Sequence, residues 1–468
     1  MRRKVIALLM TVVISACMVA CGSKEGIAAG AETGESEEEL QMAEGEQTDQ
    51  ADTEQKSAGT ENETVADAKE ETKSAIEQAQ AERNAATIKD VEIEGKELPD
   101  NEALSFVASM KAGWNLGNTL EAYNSSVSPE KELSTEEVWG NPVTTQAMID
   151  EVKKAGFETI RIPITWRGHV TVAEDGTVTV SDVWLTRVKE VVDYAYNNDM
   201  YVIINTHHDI EIADESVEGK NLGYYPSTDN YERSAVYLTA IWTAMAETFK
   251  DYDEHLIFES LNEPRLAGSS YEWNFRPGVA ECNGAADCIN RLNQLFVDTV
   301  RATGGNNAER YLMLPGYAAS LDGAATDLYQ LPTDEAENKL IVSVHAYTPY
   351  NFALQAPGEG GSTDEFSIDK STSTADINTL MKKLYDKYTS KGIPVVIGEY
   401  GARDKNNNLQ DRLDYHVYYV ASARAVGITC CVWDNNAFSG SGENFGLFRR
   451  RVCNWLYPEI VEAIMKYA

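Results

Sequence analysis

Cysteine, histidine and positive charge are all scarce in this chain of 468 residues. It has seven cysteines and six histidines, and its 40 Lys and Arg residues face 75 Asp and Glu residues, which gives a formal net charge of −35. This excess of negative charge makes nucleic acid and anionic membrane surfaces poor partners, whereas a neutral polysaccharide is unaffected by it. No Cys/His spacing is typical of a zinc site.

The five cysteines beyond the N-terminal region are an odd number, which argues against a complete disulfide framework. Cys282 and Cys288 fall in an expected loop, and they can form a disulfide if the exterior is oxidising. Cys430 and Cys431 stand inside an apolar run, where small buried hydrophobes are the default interpretation. The pairing of Cys282 with Cys288 stays open.

Aromatic residues are absent from residues 25–82, and large apolar residues are almost absent. This stretch holds 18 Asp or Glu residues and three Lys residues. It cannot bury enough surface to offset the entropy of ordering, roughly 1–2 kcal/mol per residue for the backbone alone. We therefore predict a disordered acidic tether at 21–85 and one folded domain at 86–468.

The N-terminus carries Arg2, Arg3 and Lys4, followed by an apolar stretch that ends near Ala20. This pattern resembles a bacterial lipoprotein signal, which we place at 1–20 with Cys21 as the lipidated residue. Cys17 remains an alternative, as does an ordinary secretory signal or an uncleaved anchor. We expect the protein on the extracellular face of the cytoplasmic membrane, held by its lipid, or secreted. No other segment has the length and apolar character of a membrane span.

Apolar runs alternate with amphipathic stretches along the rest of the chain. Continuous Val, Ile and Leu runs are typical of parallel strands buried on both faces, and the strand and helix rhythm indicates a parallel sheet. We predict an α/β fold, a (β/α)8 TIM barrel, with strands at 113–118, 159–164, 201–209, 256–263, 311–316, 340–348, 394–401 and 428–435. The expected helices lie near 145–155, 182–198, 231–249, 289–303, 377–389, 409–425 and 458–467, with no convincing long helix after residue 321.

Polar side chains cluster where these strands end. Glu263 and Glu399 each close an apolar run, about 136 residues apart, and the carboxyl ends of barrel strands are where barrel enzymes keep their chemistry. Because polar groups in apolar runs are costly unless they have partners, we expect the strand ends to meet at one rim. The other residues at these ends are Arg161, His207, His208, His345, Tyr347 and Trp433.

Two carboxyl groups with separated pKa values suffice for glycoside hydrolysis without a metal. We assign Glu263 as the acid/base and Glu399 as the nucleophile. Arg161 and Tyr347 are expected to hold the nucleophile ionised and aligned. Asn262 is expected to bond the sugar 2-hydroxyl.

Several stretches together resemble glycoside hydrolase family 5, and within it the endoglucanases that act on β-1,4-glucans and xyloglucan. The resemblance spans roughly residues 104–466 and is carried by GWNLGNTL (113–120), WGNP (139–142), TIRIP (159–163), LIFESLNEP (256–264), HAYTPY (345–350), IGEYG (397–401) and ENFGL (443–447). It implies a retaining endo-β-1,4-glucanase that hydrolyses cellulose, mixed-linkage glucan and, if its branches fit, xyloglucan, as a monomer without a cofactor.

The resemblance also supplies substrate-binding residues. It places the family's arginine, histidines, asparagine, tyrosine and tryptophan on Arg161, His207 with His208 beside it, Asn262, His345, Tyr347 and Trp433, and its motifs add Asn115 and Trp139. Trp433 offers a flat face for a pyranose ring, although a core tryptophan at a barrel mouth is about equally common. One aromatic of the family's Trp-Trp-Asp-Asn is missing, because the chain reads Val432-Trp433-Asp434-Asn435.

Alternatives remain at this point. The loop after His208 lacks a tryptophan and supplies Tyr224 and Tyr225, so a mannanase or glucomannanase of the same fold competes with the glucanase. A barrel that binds polysaccharide without cleaving it is a second class. A metal site at His207, His208 and Asp209 is a third, but neighbouring side chains on a strand point to opposite faces, and we expect His207 to point inward.

Overall fold

A closed barrel of eight parallel strands organises the residues that the structure describes, which are 83, 85–211, 223–440 and 442–468 of a computed structural model. The strands follow one another around the barrel in chain order, and the last closes on the first. This confirms the predicted α/β TIM barrel. The strands, in order β1 to β8, are Ala112–Leu116, Thr159–Ile162, Tyr201–Asn205, Leu256–Glu259, Leu312–Pro315, Leu340–His345, Val395–Tyr400 and Thr429–Asp434.

Each predicted strand exists, but all eight predictions extended one to four residues beyond the carboxyl end of the observed strand. The strand predicted at 256–263 ends at Glu259, and the one predicted at 201–209 ends at Asn205. The polar residues that suggested longer strands belong to the loops just after them. They therefore lie on the rim, where side chains are free of the alternation that a strand imposes.

Amphipathic helices surround the barrel as predicted. Helix Ala280–Ala302 is one and a half times as long as the segment predicted at 289–303. The prediction began too late because the first turns of the helix contain Asn283 and Gly284, which favour loops. Helix Leu321–Ala325 is short, as expected for the stretch after residue 321. The remaining helices are Glu102–Ser109, Gln146–Lys154, Asp182–Tyr196, Tyr231–Phe249, Tyr350–Ala353, Ser371–Lys387, Leu409–Ala425 and Pro458–Met465.

Two small antiparallel hairpins were not predicted. One pairs Val170–Val172 with Val178–Val180, and the other pairs Phe448–Arg449 with Asn454–Trp455. Both are only two or three residues per strand, so the period-2 signal on which strand prediction depends is too short to recognise.

Helix Glu102–Ser109 covers the amino-terminal end of the barrel. Asn101 caps it by accepting from the backbone amides of Ala103 and Leu104. Its apolar face places Phe106 against Tyr311, with ring centroids 3.6 Å apart, and joins a cluster of strand residues inside the barrel. This closed end leaves the carboxyl ends of the strands as the open rim.

The segment before this helix lies along the outside of the barrel. Lys89 pairs with Asp414 at 2.7 Å, the Val91 amide donates to the Tyr467 hydroxyl at 2.7 Å, and the Lys96 amide donates to the Ala425 carbonyl at 2.7 Å. These contacts attach residues 89–96 to the helices that begin at Leu409 and Pro458. The proposed signal, Cys17, Cys21 and nearly all of the predicted tether lie outside the described residues.

The cysteines of the barrel are all free. Cys282 and Cys288 lie on one α-helix rather than in the expected loop. Six positions along a helix separate two side chains by about 9 Å of rise and point them to different sides, which is too far for a disulfide. Cys430 and Cys431 are buried, as expected. In the part of the chain that the structure describes, no helix is both long and apolar enough to span a membrane.

Candidate active site

Glu263 and Glu399 come together at the open rim. A carboxylate oxygen of each lies within 4.8 Å of the other and of a ring nitrogen of His345. The His345 Nδ1 atom lies 3.0 Å from Glu263 Oε1 and 3.6 Å from Glu399 Oε1. His345 is paired in register with Glu399 on the neighbouring strand, whereas Glu263 reaches the same point from the loop after β4. Three different strands thus deliver one compact group of titratable side chains.

Arg161, fully buried on β2, is the fixed charge of this group. Its Nη1 donates to Glu399 Oε1 at 2.8 Å and to Asn115 Oδ1 at 3.0 Å, its Nε donates to Glu259 Oε2 at 2.8 Å, and its Nη2 donates to Asn262 Oδ1 at 2.7 Å. Burial opposes the charge of the guanidinium, but the two carboxylates outweigh it and raise the pKa of Arg161. The cation therefore persists at every working pH.

Asn115 does not lie where a sugar can touch it. It is fully buried, its Oδ1 accepts from Arg161, and its Nδ2 donates to the backbone carbonyl of Gly398 at 2.9 Å. Both polar ends of the amide are thus engaged inside the barrel, and we correct its expected contact with substrate to a role in orienting Arg161. Asn262 differs, because among the described residues none accepts a hydrogen bond from its Nδ2.

Glu259 is a third carboxylate that the sequence reasoning did not single out. It lies at the end of β4, is fully buried, and accepts from Arg161, from Ser343 Oγ at 2.5 Å and from Asn205 Nδ2 at 3.0 Å. Burial works against its ionisation, but the charge of Arg161 and the contacts of His345 and Ser343 lower the pKa of Glu259 to about 2. A charged residue within a buried strand requires a partner, and that signal was available in the sequence.

Tyr347 contacts the other oxygen of Glu399. Its hydroxyl donates to Glu399 Oε2 at 2.9 Å, and its ring packs against Phe445 with centroids 5.4 Å apart. Burial and the charge of Glu399 raise the pKa of Tyr347 well above its ordinary value, so the hydroxyl stays a donor. Glu399 thus receives one hydrogen bond on each oxygen.

His345 is positively charged at neutral pH. Burial lowers its pKa, but the surrounding carboxylates, Glu399 foremost, raise it to about 9. Burial likewise favours the neutral form of Glu263, yet the hydrogen bond and charge of His345, followed by the charge of Arg265, lower the pKa of Glu263. The side chain of Glu263 is 18% exposed and that of Glu399 is 7% exposed, so Glu263 is the more accessible of the two carboxyl groups.

The floor beside the carboxylates is aromatic. Trp433 at the end of β8 keeps 8% of its surface exposed, and the His207 ring lies nearly parallel to it with centroids 6.2 Å apart. A side chain at Gly117 would meet the Trp433 ring at 2.8 Å, so glycine is required there.

His207 points inward, as expected. Its Nδ1 lies 3.2 Å from Asn205 Nδ2, an atom that can only donate, so the ring proton of neutral His207 lies on Nε2.

Further aromatics lie on the rim. His208 is exposed and packs against Trp139, whose side chain is 42% exposed, with centroids 5.5 Å apart. Tyr224 was expected to border the cleft, but it is fully buried and belongs to the barrel core. Only Tyr225 of this pair keeps partial exposure. Residues 212–222 of this loop lie outside the described residues.

The alternative of a metal site at His207, His208 and Asp209 does not assemble. Among the described residues, the only set of three His, Cys, Asp or Glu side chains close enough to surround an ion is Glu263, His345 and Glu399. Arg161 donates to Glu399 at 2.8 Å and lies 3.3 Å from the His345 ring, so a second cation there would meet two positive charges. Asp209 Oδ1 instead accepts from the Trp166 and Arg167 backbone amides.

Comparison with known proteins agrees with this geometry. Residues 120–439 match the family model described as Cellulase (glycosyl hydrolase family 5). Endoglucanase A of Ruminococcus albus is 41% identical over 373 residues, which cover 80% of this chain and 94% of that protein. Endoglucanase A of Clostridium longisporum is 42% identical over 78% of this chain, which spans only 65% of that longer protein.

Solved structures give the same result. A Glycoside Hydrolase 5 lichenase from Caldicellulosiruptor sp. F32, solved as a mutant with cellotetraose, is 54% identical with a TM-score of 0.78, covering 82% of this chain and all of that one. A GH5-4 broad specificity endoglucanase from Ruminococcus champanellensis with bound cellotriose is 42% identical with a TM-score of 0.69, covering 79% of this chain and all of that one. The chain therefore belongs to glycosyl hydrolase family 5 and is a glycoside hydrolase.

Proposed function

We propose that this enzyme is a retaining endo-β-1,4-glucanase that hydrolyses β-glucan backbones by double displacement. The observation that carries the proposal is the short separation of Glu263 and Glu399, one oxygen of each lying within 4.8 Å. Retaining enzymes hold their two carboxyl groups roughly 5–5.5 Å apart, whereas inverting enzymes leave about 6.5–9.5 Å for a water molecule. The spacing supports direct attack by a carboxylate on the sugar.

In the first step, Glu399 attacks the anomeric carbon and Glu263 protonates the departing oxygen. Arg161 and Tyr347 donate to opposite oxygens of Glu399, so the carboxylate is oriented before substrate arrives. Glu263 must carry a proton for this step, so only the enzyme in which Glu263 stays protonated against the charges of His345 and Arg265 reacts. Its carboxyl is the more exposed of the two, with 18% of the side chain accessible against 7% for Glu399, which suits proton transfer to a leaving group.

In the second step, Glu263 removes a proton from water, and the resulting hydroxide equivalent releases the sugar from Glu399. When Glu399 is esterified its negative charge is gone, so the positive His345 at 3.0 Å stabilises the carboxylate form of Glu263 without competition. The free Nδ2 of Asn262 suits a hydrogen bond to the sugar 2-hydroxyl, a contact that strengthens in the oxocarbenium-like transition state.

Rescue by azide distinguishes the roles of Glu263 and Glu399. Glu399→Ala removes the nucleophile and should abolish turnover, and azide should then yield an α-glycosyl azide from an activated β-glycoside. Glu263→Ala should still form the glycosyl enzyme from a substrate whose leaving group needs no proton, and azide should yield the β-glycosyl azide. The opposite pair of products would reverse the two assignments, and proton NMR showing first release of the inverted anomer would refute retention.

The substrate proposal rests on the aromatic side chains of the cleft. Trp433, Trp139 and Trp273 lie at the rim with 8%, 42% and 64% exposure, and flat rings suit the equatorial faces of glucose units in a β-1,4 chain. The glucan-acting names of the similar proteins support the same choice. Comparing kcat/KM on cellulose derivatives, mixed-linkage glucan, xyloglucan and linear mannan tests it, and a higher value on mannan than on every glucan would make the enzyme a mannanase.

We further propose that a lipid on Cys21 holds the enzyme at the outer face of the cytoplasmic membrane. The basic start, the apolar run and the Cys-Gly-Ser sequence at 21–23 support this. A disordered chain of about 60 residues would reach on the order of 40–50 Å, so the predicted tether would let the enzyme work on a polymer near the cell surface. Loss of metabolic lipid labelling in Cys21→Ser but not in Cys17→Ser is the expected result, and the reverse pattern would move the lipid to Cys17.

A further inference from the structure

Arg265, two residues after the candidate acid/base, connects Glu263 to an exposed tryptophan. Its Nη1 lies 3.8 Å from Glu263 Oε2 and donates to the Glu263 carbonyl at 3.0 Å. On its other side the guanidinium carbon lies 4.0 Å from the centroid of the Trp273 ring. One side chain therefore contacts both the acid and an indole.

Hydrogen bonds within the loop hold Arg265 against Trp273. Glu272 Oε1 accepts from Arg265 Nε at 3.2 Å, and Glu272 Oε2 accepts from the Gly268 amide at 3.0 Å. Leu266 is buried and its amide donates to the Tyr317 hydroxyl at 2.9 Å. With Arg265 on one face, Trp273 keeps 64% of its surface exposed, so its accessible surface is the side turned away from the guanidinium.

The two oxygens of Glu263 face different parts of the cleft. Oε1 faces His345 at 3.0 Å, on the side of Glu399, whereas Oε2 faces Arg265. In the proposed reaction the sugar that is attacked must lie over Glu399, and the oxygen that Glu263 protonates belongs to the next sugar. The leaving sugar therefore extends past Glu263 on the Arg265 side, towards Trp273.

We propose that Arg265 is a positioning residue, which presents Trp273 as the stacking platform for the leaving-group sugar and at the same time sets the charge environment of Glu263. This inference rests on the proposed glucanase function. An indole backed by a guanidinium is a rigid surface for the apolar face of a pyranose, since cation–π contacts contribute about 0.5–2 kcal/mol. The same cation favours the ionised form of Glu263, as does the protonated His345.

Several charged neighbours besides Arg265 influence the pKa of Glu263. Burial, His345 and then Arg265 and His208 act on its pKa, which is lowered overall. Arg265 is the one of these cations that belongs to the proposed platform. The other titratable groups that face Glu263 or interact with its charge are Glu399, Glu443, Tyr347 and Tyr224.

Two substrates distinguish the binding of the leaving-group sugar at Trp273 from the bond-breaking step. Cellotetraose has leaving-group sugars, whereas β-cellobiosyl fluoride has a leaving group with no sugar and little need of a proton. Trp273→Ala and Arg265→Met should each lose about tenfold in kcat/KM on cellotetraose, consistent with one stacking contact, and stay within about twofold of the wild type on the fluoride. An equal loss on both substrates, or no loss on either, would overturn the proposal.

The pH profile separates the two roles of Arg265. Removing the positive charge in Arg265→Met should move the alkaline limb of kcat/KM on cellotetraose to higher pH, because Glu263 then holds its proton more tightly. Arg265→Lys keeps the charge but not the planar stack, so it should lose activity on cellotetraose with the limb unmoved. An unmoved limb in Arg265→Met, or the same displacement in both variants, would contradict the assignment.

Arg291→Met is a matched control, because Arg291 lies over the Tyr231 ring at 3.5 Å without contact to the candidate catalytic residues. It should leave both substrates and the pH limb unchanged. If Arg265→Met fails to fold, Trp273→Ala and Arg265→Lys still decide the matter. A wild-type enzyme inactive on both substrates would refute the proposed function itself, whereas an active wild type with unselective variants would refute only this inference.

Discussion

Glu259→Gln is the substitution that most directly tests how the site is held together. The variant preserves the shape of the side chain and removes one of the two counter-charges of Arg161, which is fully buried. With Glu259 neutral, Glu399 becomes the only carboxylate bonded to the guanidinium. We expect the nucleophile to be drawn towards Arg161 and out of line with the anomeric carbon.

The expected losses of stability and of activity in Glu259→Gln follow from the charge of Glu259. Its pKa falls from an ordinary 4.5 to about 2 in the folded protein, which corresponds to about 3 kcal/mol of stabilisation at neutral pH. That figure agrees with the roughly 3–5 kcal/mol lost when one partner of a buried ion pair is removed. A misplacement of a reacting group by about 1 Å can cost on the order of 100-fold in rate, and we expect a loss of that order in kcat/KM.

Glu136→Gln provides the matched control. Glu136 forms a buried ion pair with Arg187, in which Oε2 lies 3.0 Å from Nε, and it makes no contact with the candidate catalytic residues. Both variants should unfold at lower temperature than the wild type in thermal scans at one heating rate. Only Glu259→Gln should lose activity on soluble β-glucan at a temperature where all three proteins are folded. Wild-type kcat/KM in Glu259→Gln, or an equal loss in Glu136→Gln, would refute this account of Arg161.

Two further predictions concern pH and the chain before the barrel. The folded pKa of His345, raised to about 9, means that its contribution, up to about 3 kcal/mol, is complete below about pH 6.5 and is lost as pH rises through 9. The unfolding temperature should therefore fall over that range in the wild type and fall less in His345→Gln. Deleting residues 25–82 should leave activity on soluble glucan and thermal stability intact, whereas a deletion through residue 96 should destabilise the barrel by removing the Lys89 to Asp414 and Lys96 to Ala425 contacts. Unfolding of the shorter deletion would make the acidic segment part of the fold.

The barrel was predictable because a parallel strand that is buried on both faces consists almost entirely of apolar residues. Strand β7, Val395–Tyr400, is buried at every position, and such runs differ clearly from the amphipathic helices between them. Helix Glu102–Ser109 was missed because it stands outside this rhythm, and its role as the floor depends on strand residues that are distant in sequence. The first turns of helix Ala280–Ala302 were missed because tertiary packing overrides the loop preference of Asn283 and Gly284.

The sequence pattern singled out Glu263, His345 and Glu399, which lie side by side in the structure, but it did not single out Glu259 at the end of β4. Glu263, His345 and Glu399 could be placed together because the carboxyl ends of barrel strands meet at one rim. Glu259 stands inside an apolar run with Asn205 opposite it in register, and nothing local distinguishes a carboxylate that holds an arginine from one that contacts substrate. The same ambiguity affected Asn115, whose amide faces inward to Arg161 and the backbone.

Arg161 explains why the inner and outer carboxylates differ. Glu259 accepts from Arg161 at 2.8 Å, from Ser343 at 2.5 Å and from Asn205 at 3.0 Å, and its pKa is lowered to about 2 although burial opposes its ionisation. Glu399 receives its donors from Arg161 and Tyr347 but keeps one side towards the cleft, where the sugar approaches. A single cation that lies between an inaccessible and an accessible carboxylate can orient the second one without neutralising it, because the first already balances the charge of the cation. Glu399, the proposed nucleophile, thus remains available to attack carbon, whereas a one-to-one ion pair with arginine would neutralise it.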